Sequence, residues 1–119
     1  MDTRPKTIIC DIDGTLVKHE IPTKNTSPNK QLELLPGTVE KLSEWDAKGY
    51  NVILITGRRE SMRAATEKQL AELGIFYDHL IMGVGGGPRI VINDNKPNGQ
   101  ETAFAINLER NKGINDIIL

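Results

Sequence analysis

The stretch that decides the fold is "TIICDIDGTLV", Thr7 to Val17. A short, β-rich apolar run ends in two carboxylates one residue apart, and Gly14 and Thr15 follow at once. The run has the length and content of a buried strand stopped by glycine. A core strand has no need of the acids, and a solvated acidic patch has no need of the run. The pair therefore reads as chemistry placed at the end of a strand.

Patterns farther along the chain repeat this arrangement. "NVILIT", Asn51 to Thr56, is a second buried strand, "DHLIM" a short third, "RIVIN" a fourth and "AFAINL", Ala103 to Leu108, a fifth. Between the first two, Val39, Leu42 and Trp45 recur at helical spacing, and Gly49 stands where that helix should end. "RRESMRAATEKQLAELG" carries the strongest helical pattern: Met62, Ala65, Leu70 and Leu73 share a face, and Gly74 closes it. Alternating strands and helices imply a parallel sheet with crossover helices. The expectation is an α/β, three-layer Rossmann-like fold with a central, mainly parallel sheet of about five strands. The 119 residues suit one domain, 1–119.

Composition narrows the function classes. Fifteen basic against sixteen acidic residues leave a net charge of −1, and aromatics make up only 4%. Nucleic acid is thus an unfavoured partner, because single strands are usually held on basic, aromatic grooves. The sequence has no apolar stretch of membrane-spanning length, and "MDTRPKTIIC" lacks the apolar region of a signal peptide. The sole cysteine, Cys10, reads as a small core residue. A cytoplasmic location is the default.

Ligands of such sheets bind outside the carboxyl ends of the strands. Asp11 and Asp13 end the first strand there, "TGRR" from Thr56 the second, and "NDNK" with Asp94 the fourth. Carboxylates, a hydroxyl, tight turns and basic side chains make an inventory for phosphate and metal. Alternate residues of an extended chain lie roughly 7 Å apart, a spacing that suits two carboxylates flanking one phosphorus. Asp11 can attack it and form an aspartyl-phosphate. Asp13 can protonate the leaving oxygen and then deprotonate water. Mg²⁺ bridging Asp11 and Asp94 would cancel the repulsion between nucleophile and phosphate. The Thr56 hydroxyl and the backbone amides of the turn at Gly57 and Arg58 can hold phosphate oxygens.

"DIDGT", "TGR" and "IND" together resemble the haloacid dehalogenase superfamily, mostly phosphatases and phosphotransferases. The resemblance implies Asp11 as nucleophile, Asp13 as acid and base and Thr56 as phosphate ligand. It places Mg²⁺ on Asp11, Asp94 and the backbone carbonyl of Asp13. The family usually carries a phosphate-binding lysine ahead of its last acidic motif, but "GVGGGP" leaves no room for the helix that bears it. Arg89 opens its strand, which puts it roughly 13 to 16 Å from the site at about 3.3 Å per residue. Arg58 and Lys96 are the substitutes, with Lys96 slightly favoured because Pro97 stiffens its loop.

The space between Leu16 and Leu35 fits a flap and not a cap domain, and six residues after Met82 leave no room for one either. The chain reads as a capless member whose open site admits a bulky substrate or is covered by a second copy in a homo-oligomer. A phosphorylated small metabolite is the first expectation. The segment from "INDNK" to "NKGI" resembles small members associated with sugar and surface-polysaccharide metabolism. "TGRRESMRAATEKQLAELGIFYDHLIM" is similar to the phosphatase half of polynucleotide kinase–phosphatases, which makes a polynucleotide 3′-phosphate the alternative. A degenerate member that binds a phosphorylated ligand without turnover is the third reading. Competing uses of the motifs are weaker. A calcium loop would need oxygen ligands where Val17 and Ile21 stand. The glycines of "GVGGG" lack the Lys-Ser/Thr of a P-loop and read as a flexible turn. Thr56 alone would serve as a helix cap. His19 and His79 are not read as metal ligands, and Trp45 reads as core.

Overall fold

The computed structural model describes residues 3–20 and 31–119. The centre of the expected flap, 21–30, lies outside the described residues. Three parallel strands form one sheet: β1 (Thr7–Asp11), β2 (Asn51–Ile55) and β3 (His79–Ile81), in the order β1-β2-β3. Their register pairs Thr7 with Asn51 and Asp11 with Ile55, then Ile53 with His79 and Ile55 with Ile81. Asp11 therefore ends flush with β2, and the segments after both strands emerge at the same edge.

Helix α1 (Thr38–Ala47) joins β1 to β2, and helix α2 (Arg63–Glu72), entered through a 3₁₀ turn at Glu60–Met62, joins β2 to β3. Right-handed crossovers in this strand order place both helices on one face of the sheet. Burial alternates accordingly: Cys10, Val52, Leu54 and Leu80 are buried with Leu42, Trp45 and Leu70 of the helices. On the opposite face Ile9 and Ile81 remain 52% and 46% exposed. The parallel α/β sheet agrees with the sequence, but the described residues form three strands and not five, and they leave one face without a helical layer.

The base of the expected flap is present. Val17 bridges Leu34 in antiparallel fashion, and the Lys18 and Leu35 amides donate to the carbonyls of Glu33 and Leu16. The Thr38 hydroxyl donates to the carbonyls of Leu16 (2.6 Å) and Leu35 (3.1 Å), which ties the start of α1 to this base.

"RIVIN" and "AFAINL" are the missing strands. Residues 89–108 run as an exposed arm with a turn at its tip, where the Lys96 amide donates to the Gln100 carbonyl. Ile90, Ile92 and Phe104 are 84%, 93% and 78% exposed. An apolar strand pattern becomes a strand only when an edge accepts it, and none does so among the described residues.

After the arm the chain returns to the body. Ile114 is buried in the core, its amide donates to the Pro36 carbonyl, and Ile117 and Leu119 pack beside it. The final residues thus belong to the core that positions the loop after β1. Ile114→Ala should lower unfolding stability by about 2–5 kcal/mol, as expected for a truncated core isoleucine. Urea denaturation measures it, and a loss below about 1 kcal/mol would show that the tail contributes no core. Among the described residues no helix is long and apolar enough to cross a membrane.

Candidate active site

Backbone geometry sets Asp11 and Asp13 at the carboxyl edge. β1 delivers Asp11, and buried Ile12 anchors the step between the acids. The Ile12 carbonyl accepts from the amides of Thr15, Leu16 and Val17, closing the turn. Gly14 sits in it at φ +88°, a region that side-chain-bearing residues rarely adopt. Its carbonyl accepts from the Asn111 amide (2.9 Å), and the Asn111 side chain accepts from the His19 amide (2.7 Å). Asn111 itself has φ 64°. Asparagine is one of the few side-chain-bearing residues that take this left-handed conformation readily.

Asp11 is exposed as a residue, yet partial burial of its carboxyl pushes its pKa above the ordinary aspartate value, and the nearby charge of Asp13 adds to the rise. The Ile12 amide and the charges of Arg89 and His19 pull the other way. The charge of Arg89 thus acts on Asp11, whereas the sequence places Arg89 at the far edge. That placement assumed a strand beginning at Arg89 in the same sheet. Instead the Arg89 guanidinium folds back onto the carbonyls of Gly85 and Gly87, at the root of the arm.

Asp13 is held by Arg58. The guanidinium donates through Nε to Oδ2 (3.0 Å) and through Nη2 to Oδ1 (2.8 Å). Its Nη1 donates to Gln69 Oε1 (2.9 Å) and Thr66 Oγ1 (3.3 Å) on α2. This explains why α2 buries Thr66 and Gln69 beside the expected Leu70; of the other expected residues, Leu73 packs partly buried against the core, Ala65 is half-buried and Met62 is exposed. The helix turns polar groups inward to satisfy the far side of a partly buried guanidinium. Hydrophobic periodicity could not have found Thr66 and Gln69, because neither is apolar.

Thr56 is buried and fixed between strand and loop. Its amide donates to the Ile81 carbonyl, its carbonyl accepts from Val84, and its hydroxyl accepts the Arg58 amide (3.1 Å). At Gly57 a Cβ would lie 3.0 Å from the Val84 carbonyl oxygen, so glycine lets the two loops approach. Cys10 is a core residue: burial pushes its thiol up to about 12, so it stays protonated and unreactive.

Asp11, Asp13, Thr56, Gly57 and Arg58 are therefore brought together. Asp94 and Lys96 are not: both ride on the arm, Asp94 exposed and its carbonyl accepting from the Thr102 hydroxyl. Among the described residues no group of three acidic, histidine or cysteine side chains gathers in a way that could hold a metal ion. Among the described residues Asp94 therefore does not stand with Asp11 and Asp13, as the Mg²⁺ site implied by the resemblance would need.

The family profile of the polynucleotide kinase phosphatase domain matches residues 5–86, a span that contains both acids and the Thr56 turn. The chain belongs to the haloacid dehalogenase superfamily, in the family of these phosphatase domains. Two solved structures support the assignment. A chain in the Pnkp1/Rnl/Hen1 complex is 34% identical over 72% of this chain and 30% of its own, with a TM-score of 0.53. A chain in the Pnkp1/Rnl/Hen1 RNA repair complex is 36% identical over 66% of this chain and 25% of its own, with a TM-score of 0.52. The present chain thus spans less than a third of these relatives. A Vibrio cholerae structure, 22% identical over 74% of this chain and 79% of its own at a TM-score of 0.51, shares the fold. No curated protein matches.

Proposed function

We propose that the chain is a capless phosphatase that removes a phosphate monoester, a polynucleotide 3′-phosphate by preference, through an aspartyl-phosphate on Asp11. The observation that carries this reading is the placement of Asp11 and Asp13 at the sheet edge beside the Thr56 turn, inside the segment matched by the family. An Asp11 oxygen attacks phosphorus and the bond to the ester oxygen breaks. That oxygen takes its proton from Asp13. Water then attacks the aspartyl-phosphate, gives its proton to Asp13 and releases inorganic phosphate. Asp13 can serve in this way only when Arg58 loosens its two hydrogen bonds, and the phosphate oxygens are the natural acceptors for the freed guanidinium. The low aromatic content and the net charge of −1 spoke against nucleic acid, but both are averages. Locally, Arg58 and Arg89 lie by the acids and the Arg110 side chain flanks Gly14. Three arginines around one turn suit an anionic chain end.

A phosphorylated small metabolite is the second reading, favoured by that same low aromatic content. Phosphate release should be compared between a 3′-phosphorylated oligonucleotide, a panel of sugar phosphates and an aryl phosphate. The oligonucleotide is expected to show a kcat/KM at least about tenfold above any sugar phosphate, equivalent to roughly 1.4 kcal/mol. A preferred sugar phosphate would replace the first reading with the second. No release from any of them would leave a degenerate binding domain.

A further inference from the structure

The arm starts at the wrong end to pair within its own sheet. Val84 is fastened to Thr56, Arg89 closes over Gly85 and Gly87, and its charge reaches Asp11, so the arm's root is at the carboxyl edge. To lie parallel to β1, a segment beginning at Arg89 would have to begin near Thr7, roughly 16 Å away along five residues. Accordingly no backbone hydrogen bond joins 89–93 to another described residue. The outer edge of β1 likewise has no strand partner among the described residues. The molecule is elongated, at 54 × 28 × 25 Å with a radius of gyration of 15.3 Å. A compact chain of this length is expected near about 13.5 Å.

Open edge and unpaired strand match in length, five residues each, and in chemistry. Ile90, Val91 and Ile92 supply the apolar strand. Phe104 and Ile106 on the returning limb are 78% and 54% exposed, and the bare sheet face offers Ile9 and Ile81. An exposed apolar strand next to an open edge is a pairing site that a soluble chain must cover.

We propose that two copies exchange these arms. Arg89–Asn93 of each copy adds in parallel to the outer edge of the other's β1, and this carries Asp94 to the Asp11 and Asp13 of that second copy. The exchange is reciprocal and closes on a two-fold axis, so it ends at a dimer. It supplies the third carboxylate that the described residues of one chain do not bring to the site, and with it an oxygen donor set for a hard divalent cation. The assignment of Asp94 rests on the phosphatase reading; the exchange of strands does not.

Light scattering on the full chain tests the exchange. The expected mass is twice the 13.2 kDa of one chain. Ile90→Asp with Ile92→Asp should give a single-chain mass and keep the helical circular dichroism signal, since both side chains lie outside the core of the single chain, while the strand signal of the exchanged arms is lost. Calorimetric Mg²⁺ affinity should fall at least about tenfold in that variant, as a lost carboxylate ligand predicts. A single-chain mass for the parent, or a dimer that survives both substitutions, would overturn the exchange. Refolding Asp11→Asn together with Asp94→Asn tests the shared site. Random pairing restores one intact site in half of the dimers, so about a quarter of parental activity should return. An inactive mixture beside an active parent would mean that Asp94 does not act across the dimer. If the parent dimerises and the arm variant does not, yet nothing is hydrolysed, the exchange stands and the phosphatase reading fails.

Discussion

Asp11→Asn is expected to abolish phosphate release, with a fall of at least about a thousandfold, or more than roughly 4 kcal/mol of barrier. An amide has no charged oxygen to attack phosphorus, and no second carboxylate occupies the same place in the turn. The parent should betray this group in its pH profile. Only ionised Asp11 attacks, so activity rises with pH through its pKa. In the metal-free chain partial burial lifts that pKa above the ordinary 3.8. The same shift has a sign in stability. The folded state holds the proton longer than the unfolded one, so Asp11's contribution is intact below 3.8 and is lost as pH rises through the folded value. At pH 7 the amide escapes that cost, and Asp11→Asn should melt higher than the parent. Calorimetry beside a phosphate-release assay checks both statements. Near-normal turnover by Asp11→Asn would remove Asp11 from the role of nucleophile.

The parts of the fold that were legible in the sequence are those set by local chemistry. β1 follows from an apolar run stopped at Gly14. The ends of α1 and α2 follow from Gly49 and Gly74, both at positive φ. Asp11, Asp13 and the Thr56 turn could be placed at one edge because parallel strands with short loops leave them nowhere else to meet. "RIVIN" failed for a physical reason: hydrophobicity marks a strand, but pairing needs an edge, and local pattern does not say which edge or whose. The error over Arg89 is the same error, since its distance was counted along a strand that the chain does not form. Thr66, Gln69 and Asn111 were missed because their work is to satisfy Arg58 and the loop after β1, a three-dimensional demand that leaves little periodic trace.

Arg58→Met should lower kcat/KM by at least about tenfold, roughly 1.4 kcal/mol, and weaken inhibition by inorganic phosphate to a similar extent. Lys96 was the slightly favoured cation in the sequence, but the structure places it on the arm with Asp94, whereas Arg58 lies against Asp13. The guanidinium is aimed by three partners, Asp13, Thr66 and Gln69, so little freedom is lost when it meets a phosphate. Two roles are compatible with this geometry, and leaving-group dependence separates them. If Arg58 holds phosphate oxygens, the methionine variant should lose turnover on activated aryl phosphates and on alkyl phosphates alike, and phosphate inhibition should weaken. If it only orients Asp13, aryl phosphates, whose leaving groups need little proton, should be spared while alkyl phosphates suffer. Arg58→Lys distinguishes charge from shape, because a lysine keeps the positive charge but cannot span two oxygens as a planar fork does. The expected order is Arg above Lys above Met in both kcat/KM and phosphate affinity. Equal phosphate inhibition in all three proteins would assign the positive charge of the site to Arg89, the guanidinium whose charge acts on Asp11.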